Sequence, residues 1–144
     1  MICYFLALAL LPEGRSPSYQ RHYFVNELPA RAEVCRALWP LGPRAIAAAF
    51  VESGFRWGLI SKRGAIGPLQ IMAEHWGNAP IKGAVRALRW CAKRVKSPPG
   101  PRRDCLVHAC YHGERWRNCT RAGRGRTAYL KAAIFALAWA RLGR

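Results

Sequence analysis

Acid is what this sequence has least of: seven Asp and Glu stand against 24 Lys and Arg in 144 residues, a formal net charge of +17. Chemistry that needs two facing carboxylates has few to draw on: Glu13, Glu27, Glu33, Glu52, Glu74, Asp104 and Glu114. A long apolar run is also missing. The longest, Ile2 to Leu11, falls short of the roughly 20 residues a membrane-crossing helix needs, yet it is long enough for the core of an export signal. No Lys or Arg precedes that core. No CxxC pair occurs, and His108 and His112 do not complete a zinc ligand set, so neither a metal nor a cofactor is expected. Cys3, Cys35, Cys91, Cys105, Cys110 and Cys119 read as small buried thiols, with a single disulfide in the Cys105 to Cys119 region. There is no internal repeat.

What is present is a core. Apolar residues make up 51% of the chain and six are Trp, which with this length implies one packed domain rather than disorder. The positive field selects polyanionic partners: nucleic acid, an anionic membrane surface, or the acidic polymers of a bacterial envelope.

Residues 1–20 read as an apolar N-terminal segment, a candidate export signal, followed by a Pro/Ser-rich joint; residues 21–144 read as the domain. Helical spacing runs from Phe24 to Trp39 until Pro40 and Pro43 break it. Pro43 then opens the strongest helix, with four alanines inside and Gly54 at its stop, which puts Glu52 in the last turn. Phe55 to Ile66 reads as loop or short hairpin, and Pro68 as the start of another helix. Residues 79–96 form a basic amphipathic helix, Asp104 is the expected N-cap of the next, and Thr127 that of the last. The fold class is mainly α, with at most a small β-hairpin after the helix that ends at Glu52.

Glu52 sits at the negative end of its helix dipole, among Phe50, Val51 and Phe55, and both surroundings favour the protonated carboxyl. A Glu held in that form suits general-acid attack on a glycosidic oxygen. Ser61 follows nine positions on, Gln70 eighteen and Met72 twenty, with Gly64, Ala65 and Gly67 between.

That array, Glu-Ser-Gly-Phe followed by Ser61-Lys-Arg-Gly-Ala-Ile-Gly-Pro-Leu-Gln-Ile-Met72, resembles the signature of the soluble lytic transglycosylase family. Ile81-Lys-Gly-Ala-Val through Leu88, Cys110-Tyr-His112 and Tyr129 extend the likeness over roughly Leu28 to Arg144. Pro68 stands where the family has Leu, and His112 where it has Asn.

The resemblance implies a lysozyme-like single domain, related to goose-type lysozyme, acting on the β-1,4 bond between N-acetylmuramic acid and N-acetylglucosamine in peptidoglycan glycan strands. It implies one Glu, here Glu52, as acid and then base, while the muramyl C6 hydroxyl closes a 1,6-anhydro ring. Ser61, Gln70, Met72, Tyr111, His112 and Tyr129 become the expected substrate-binding residues, with Tyr111 held close to Glu52. A periplasmic or wall location, an anionic envelope surface, and service to a secretion apparatus or a phage structure complete the expectation. A lysozyme-type hydrolase on the same fold would require a second carboxylate, for which Glu74 and Glu114 are the first candidates. A basic nucleic-acid or membrane-binding module is the alternative from another class; it leaves the Glu-Ser-Gly-Gln array unused, and no nucleic-acid fold signature appears.

Overall fold

The computed structural model describes residues 2–113 and 124–142. The domain is mainly helical, with one two-stranded sheet. Its elements are α1 (Ile2–Leu8), α2 (Pro17–His22), a π turn (Tyr23–Glu27), α3 (Leu28–Leu38), a 3-10 turn (Trp39–Leu41), α4 (Pro43–Glu52), β1 (Ala65–Ile66), β2 (Ile71–Met72), α5 (Ala73–Trp76), α6 (Pro80–Arg94), α7 (Pro101–Tyr111) and α8 (Arg124–Leu142).

Helix α4 is the axis of the fold. Ala45, Ile46, Ala47, Ala48 and Ala49 are all buried, so this helix is covered on every side rather than along one stripe. Alanine is what permits that: small side chains let α3 and α8 approach its backbone, and α8 packs in turn on α7. Leu38, Ile46, Phe55 and Leu69 fill the remaining space in the same core, each contributing about 1.5–3 kcal/mol by leaving water.

The π turn has a local cause. Pro29, in the first turn of α3, supplies no N–H and its ring crowds the carbonyl four residues back, so the helical run from Pro17 widens there. The Leu28 N–H reaches the Tyr23 carbonyl instead. Helix α1 lies against α3, with Cys3 and Ala7 buried and the Tyr23 hydroxyl donating to the Ala7 carbonyl.

Three local expectations are corrected. Pro68 does not open a helix: it lies in a buried turn leading into β2, which pairs antiparallel with β1 through Ala65–Met72 and Ile66–Ile71. Cross-strand pairing overrides the local preference of proline for a first helical turn, and only the four residues of α5 follow as helix. Asp104 is not an N-cap, because α7 starts earlier, at Pro101 behind Gly100; Asp104 sits in the first turn and accepts a bond of 2.9 Å from Arg44. Thr127 lies within α8 rather than before it.

The described cysteines are not thiols. Cys3 is bonded to Cys35 and Cys91 to Cys110, with Cα separations of 5.6 and 5.7 Å that suit a disulfide without backbone movement. Cys105 is disulfide-bonded as well, and no free cysteine occurs among the described residues. Neighbouring helices bring these pairs together, α1 with α3 and α6 with α7. Cys119 lies outside the described residues.

Candidate functional site

Glu52 is placed by the end of a helix that has nowhere else to go. After it, Ser53 and Gly54 are buried, and the Ser53 Oγ donates to the Pro68 carbonyl at 2.7 Å and accepts the Arg56 N–H at 3.1 Å. This one hydroxyl ties the end of α4 to the turn before β2. Arg31, itself buried, donates to the Gly54 carbonyl at 2.8 Å and is held by Glu27 at 2.6 Å. Gly54 has φ +58°, and a Cβ there would meet the Arg31 guanidinium at 2.7 Å, so glycine is required twice over.

Phe55 has φ +61°, a backbone state that L side chains avoid, and it persists because the ring is buried edge-on against Phe50 at 5.8 Å. Gln70 has φ +48° in the opposite wall. Its side-chain amide N donates to the Leu59 carbonyl at 2.9 Å and the Gly67 carbonyl at 2.8 Å, which secures the loop around it. Of the two strained residues Gln70 lines the cleft, a common place for strain to be retained, whereas Phe55 lies in the core.

The cleft holds about 580 Å³ and is lined by Glu52, Ser61, Lys62, Arg63, Ala65, Gln70, Met72, Tyr111, His112 and Gly113. Six of the seven residues expected from sequence therefore meet in one place, although they come from α4, the loop before β1, the segment through β2, and the end of α7. Tyr129 does not join them. It lines a second cavity of about 460 Å³ with Arg44, Asp104 and His108, among the starts of α4 and α7 and the body of α8. Glu74 is exposed and beside His75 and does not line the cleft, and Glu114 lies outside the described residues.

The Glu52 side chain is 11% exposed, and its Oε1 is in hydrogen-bond contact with Nδ1 of His112, whose side chain is fully buried. Tyr111 does not donate to Glu52; its hydroxyl donates to the Leu69 carbonyl at 2.6 Å. Burial, and then the charge of Glu52, hold the Tyr111 phenol well above its ordinary value, so it remains a donor. Ser61 Oγ accepts the Ala65 N–H at 3.0 Å and the Arg63 N–H at 3.3 Å. A hydroxyl has two acceptor pairs and one proton, so Ser61 keeps its proton to donate.

Lys62 and Arg63, which line the cleft, were not singled out from sequence; nor were Ser53, Arg31 and His108. Ser53 stood inside the Glu-Ser-Gly-Phe motif and could have been found there. Arg31 reaches Gly54 from far along the sequence, and no local signal marks it. Among the described residues no group of His, Cys, Asp and Glu could hold a metal, and no helix is long and apolar enough to cross a membrane. Compared with protein-family models, with curated proteins and with solved structures, the chain matches none.

Proposed function

We propose that this chain is a peptidoglycan lytic transglycosylase on a lysozyme-like fold, with Glu52 as its single acid and base. The observation that carries the reading is convergence: a nearly buried Glu at a helix end shares one cleft with Ser61, Gln70, Met72, Tyr111 and His112. Among the described residues lining that cleft, Glu52 is the one carboxylate. A retaining or inverting glycosidase needs two, about 5–9.5 Å apart. One carboxyl suffices if the substrate supplies its own nucleophile.

In that reaction the Glu52 proton passes to the bridging oxygen as the bond from C1 of the muramyl residue breaks. Its C6 hydroxyl then bonds to C1, and the hydroxyl proton returns to the Glu52 carboxylate. No water is consumed. Ser61 and Gln70 serve the sugar hydroxyls and acetamido groups, Met72 the apolar ring edges. The net charge of +17 concentrates the enzyme on an anionic envelope, and its disulfides fit an oxidising, periplasmic or exported location. A secretion apparatus or a phage structure is the setting in which such local wall opening serves.

The test digests purified sacculi with the wild type and Glu52→Gln and reads the muropeptides by mass spectrometry. Anhydromuramyl products, lighter by one water than reducing ends, are expected from the wild type and none from the variant. Reducing ends alone would establish hydrolysis in place of lyase chemistry. Undiminished release by Glu52→Gln would remove Glu52 from its role, and tight DNA binding at physiological salt without wall activity would favour a basic binding module.

A further inference from the structure

His112 stands where the resemblance leads one to expect an amide, and its surroundings specify which of its nitrogens bears the proton. Its side chain is fully buried. Nδ1 meets Glu52 Oε1, whereas Nε2 is buried with no hydrogen-bond partner. The His108 ring stacks alongside at 6.5 Å between centroids and 17° between planes, and the Tyr111 ring packs edge-on at 5.4 Å.

We propose that His112 is a positioning residue, fixed as the Nδ1–H tautomer, whose one N–H grips Oε1 of Glu52 and holds that carboxyl in place for the proton transfer. This assignment rests on the transglycosylase reading only for the reaction that the proton serves. An Nε2–H would be a buried donor without an acceptor, and a doubly protonated ring would need two acceptors where the pocket provides one. Among the described residues, His108 and Tyr111 pack on the His112 ring and Lys62 and Arg63 share its cleft.

Oε1 accepts the histidine N–H. As the carboxyl gives its proton to the glycosidic oxygen, the Nδ1–H bond to Oε1 becomes charge-assisted and strengthens; it relaxes when the carboxylate recovers a proton from the C6 hydroxyl. An interaction stronger in the transition state than in the ground state raises kcat and leaves KM largely alone. His108 supports the ring from behind and, pushed down to about 3 by burial, His112 and Arg44, adds no charge at neutral pH.

The test labels histidine with ¹⁵N and reads long-range proton–nitrogen correlations at pH 7; with four histidines, loss of one signal set in His112→Asn assigns the ring. A protonated Nδ1 and a bare Nε2 are expected. A protonated Nε2, alone or with Nδ1, overturns the proposal. In wall digestion, His112→Asn, which keeps an N–H donor, should retain kcat within about tenfold, and His112→Ala should lose about 100-fold with KM little changed. Equal loss in both variants, or none in His112→Ala, would also overturn it. Should neither variant fold, ring contacts to Tyr111 assign His112 in the wild type, and its tautomer decides alone. That spectrum needs no substrate, so a wild type inert on sacculi would sink the transglycosylase reading while leaving the tautomer answer intact.

Discussion

Ser53→Ala tests what holds the two walls of the cleft in register. The Ser53 hydroxyl has a single proton, and two carbonyls lie within reach: Pro68 at 2.7 Å and Ala49 at 3.2 Å. The shorter contact takes it, since the Ala49 carbonyl already accepts the backbone N–H of Ser53 at 3.1 Å. Truncation therefore removes two effective bonds, the donation to Pro68 and the acceptance from the Arg56 N–H at 3.1 Å. Arg56 is exposed and its N–H can turn to water, but Pro68 is buried and its carbonyl is left without that donor. About 1 kcal/mol for each bond and about 1 more for the stranded carbonyl give a loss of about 3 kcal/mol. At a urea slope of about 2 kcal/mol/M, the unfolding midpoint falls by about 1.5 M. Equilibrium unfolding by circular dichroism, with disulfides kept oxidised, measures this. A midpoint within about 0.3 M of wild type would show that the hydroxyl is not what joins α4 to the turn before β2.

Two further outcomes follow from buried groups and cross-links. His108 is pushed down to about 3 in the fold, by burial first and then by His112 and Arg44, whereas an unfolded His titrates near about 6.5. Its contribution is fully present above pH 6.5 or so and is lost as pH falls toward 3, by at most about 4–5 kcal/mol at about 1.36 kcal/mol per unit. Urea midpoints between pH 7 and 4 should therefore fall less steeply in His108→Leu than in wild type, and equal slopes would refute the assignment. The Cys91–Cys110 bond closes a separation of 19 residues, worth about 3 kcal/mol of unfolded-chain freedom. The Cys91→Ser/Cys110→Ser variant should melt at least about 6 °C lower by calorimetry, and an unchanged melting temperature would contradict this.

What could be read along the chain was what is locally encoded. Helix α4 announced itself with proline at its start, alanine through its body and glycine beyond its end, and the structure ends it at Glu52. Pro68 misled because the same proline signal also fits a turn; its outcome was decided by pairing of Ile71 and Met72 with residues that lie before it. Asp104 misled because two cap signals lay in succession, and Pro101 behind Gly100 took the first. Of the cysteines, a disulfide in the Cys105 to Cys119 region was expected and Cys105 is disulfide-bonded, but Cys3–Cys35 and Cys91–Cys110 were not legible: six cysteines allow 15 pairings, and the packing of α1 on α3 and of α6 on α7 brings these two together.

The site divides along the same line, and the division bears on how the cleft works. Glu52, Ser61 and Gln70 were legible because a fixed spacing along one stretch carries them, and they lie within reach of one another after a single hairpin. Tyr111 and His112 arrive from the far end of α7, so their sequence positions could not disclose that the tyrosine hydroxyl would go to Leu69 and the imidazole to Glu52. Those two bonds join α7 to opposite walls of the cleft, one to the helix that bears the carboxyl and one to the turn that bears Gln70. A substitution that moves α7 must therefore disturb Glu52 and the wall that bears Gln70 together. Ser53 adds the third side of the same frame by fastening the end of α4 to Pro68, one residue before Leu69. Glu52 is thus held by a closed circuit of α4, the turn and α7, a rigidity that suits the proposed chemistry, in which one carboxyl gives a proton to one oxygen and takes it back from another.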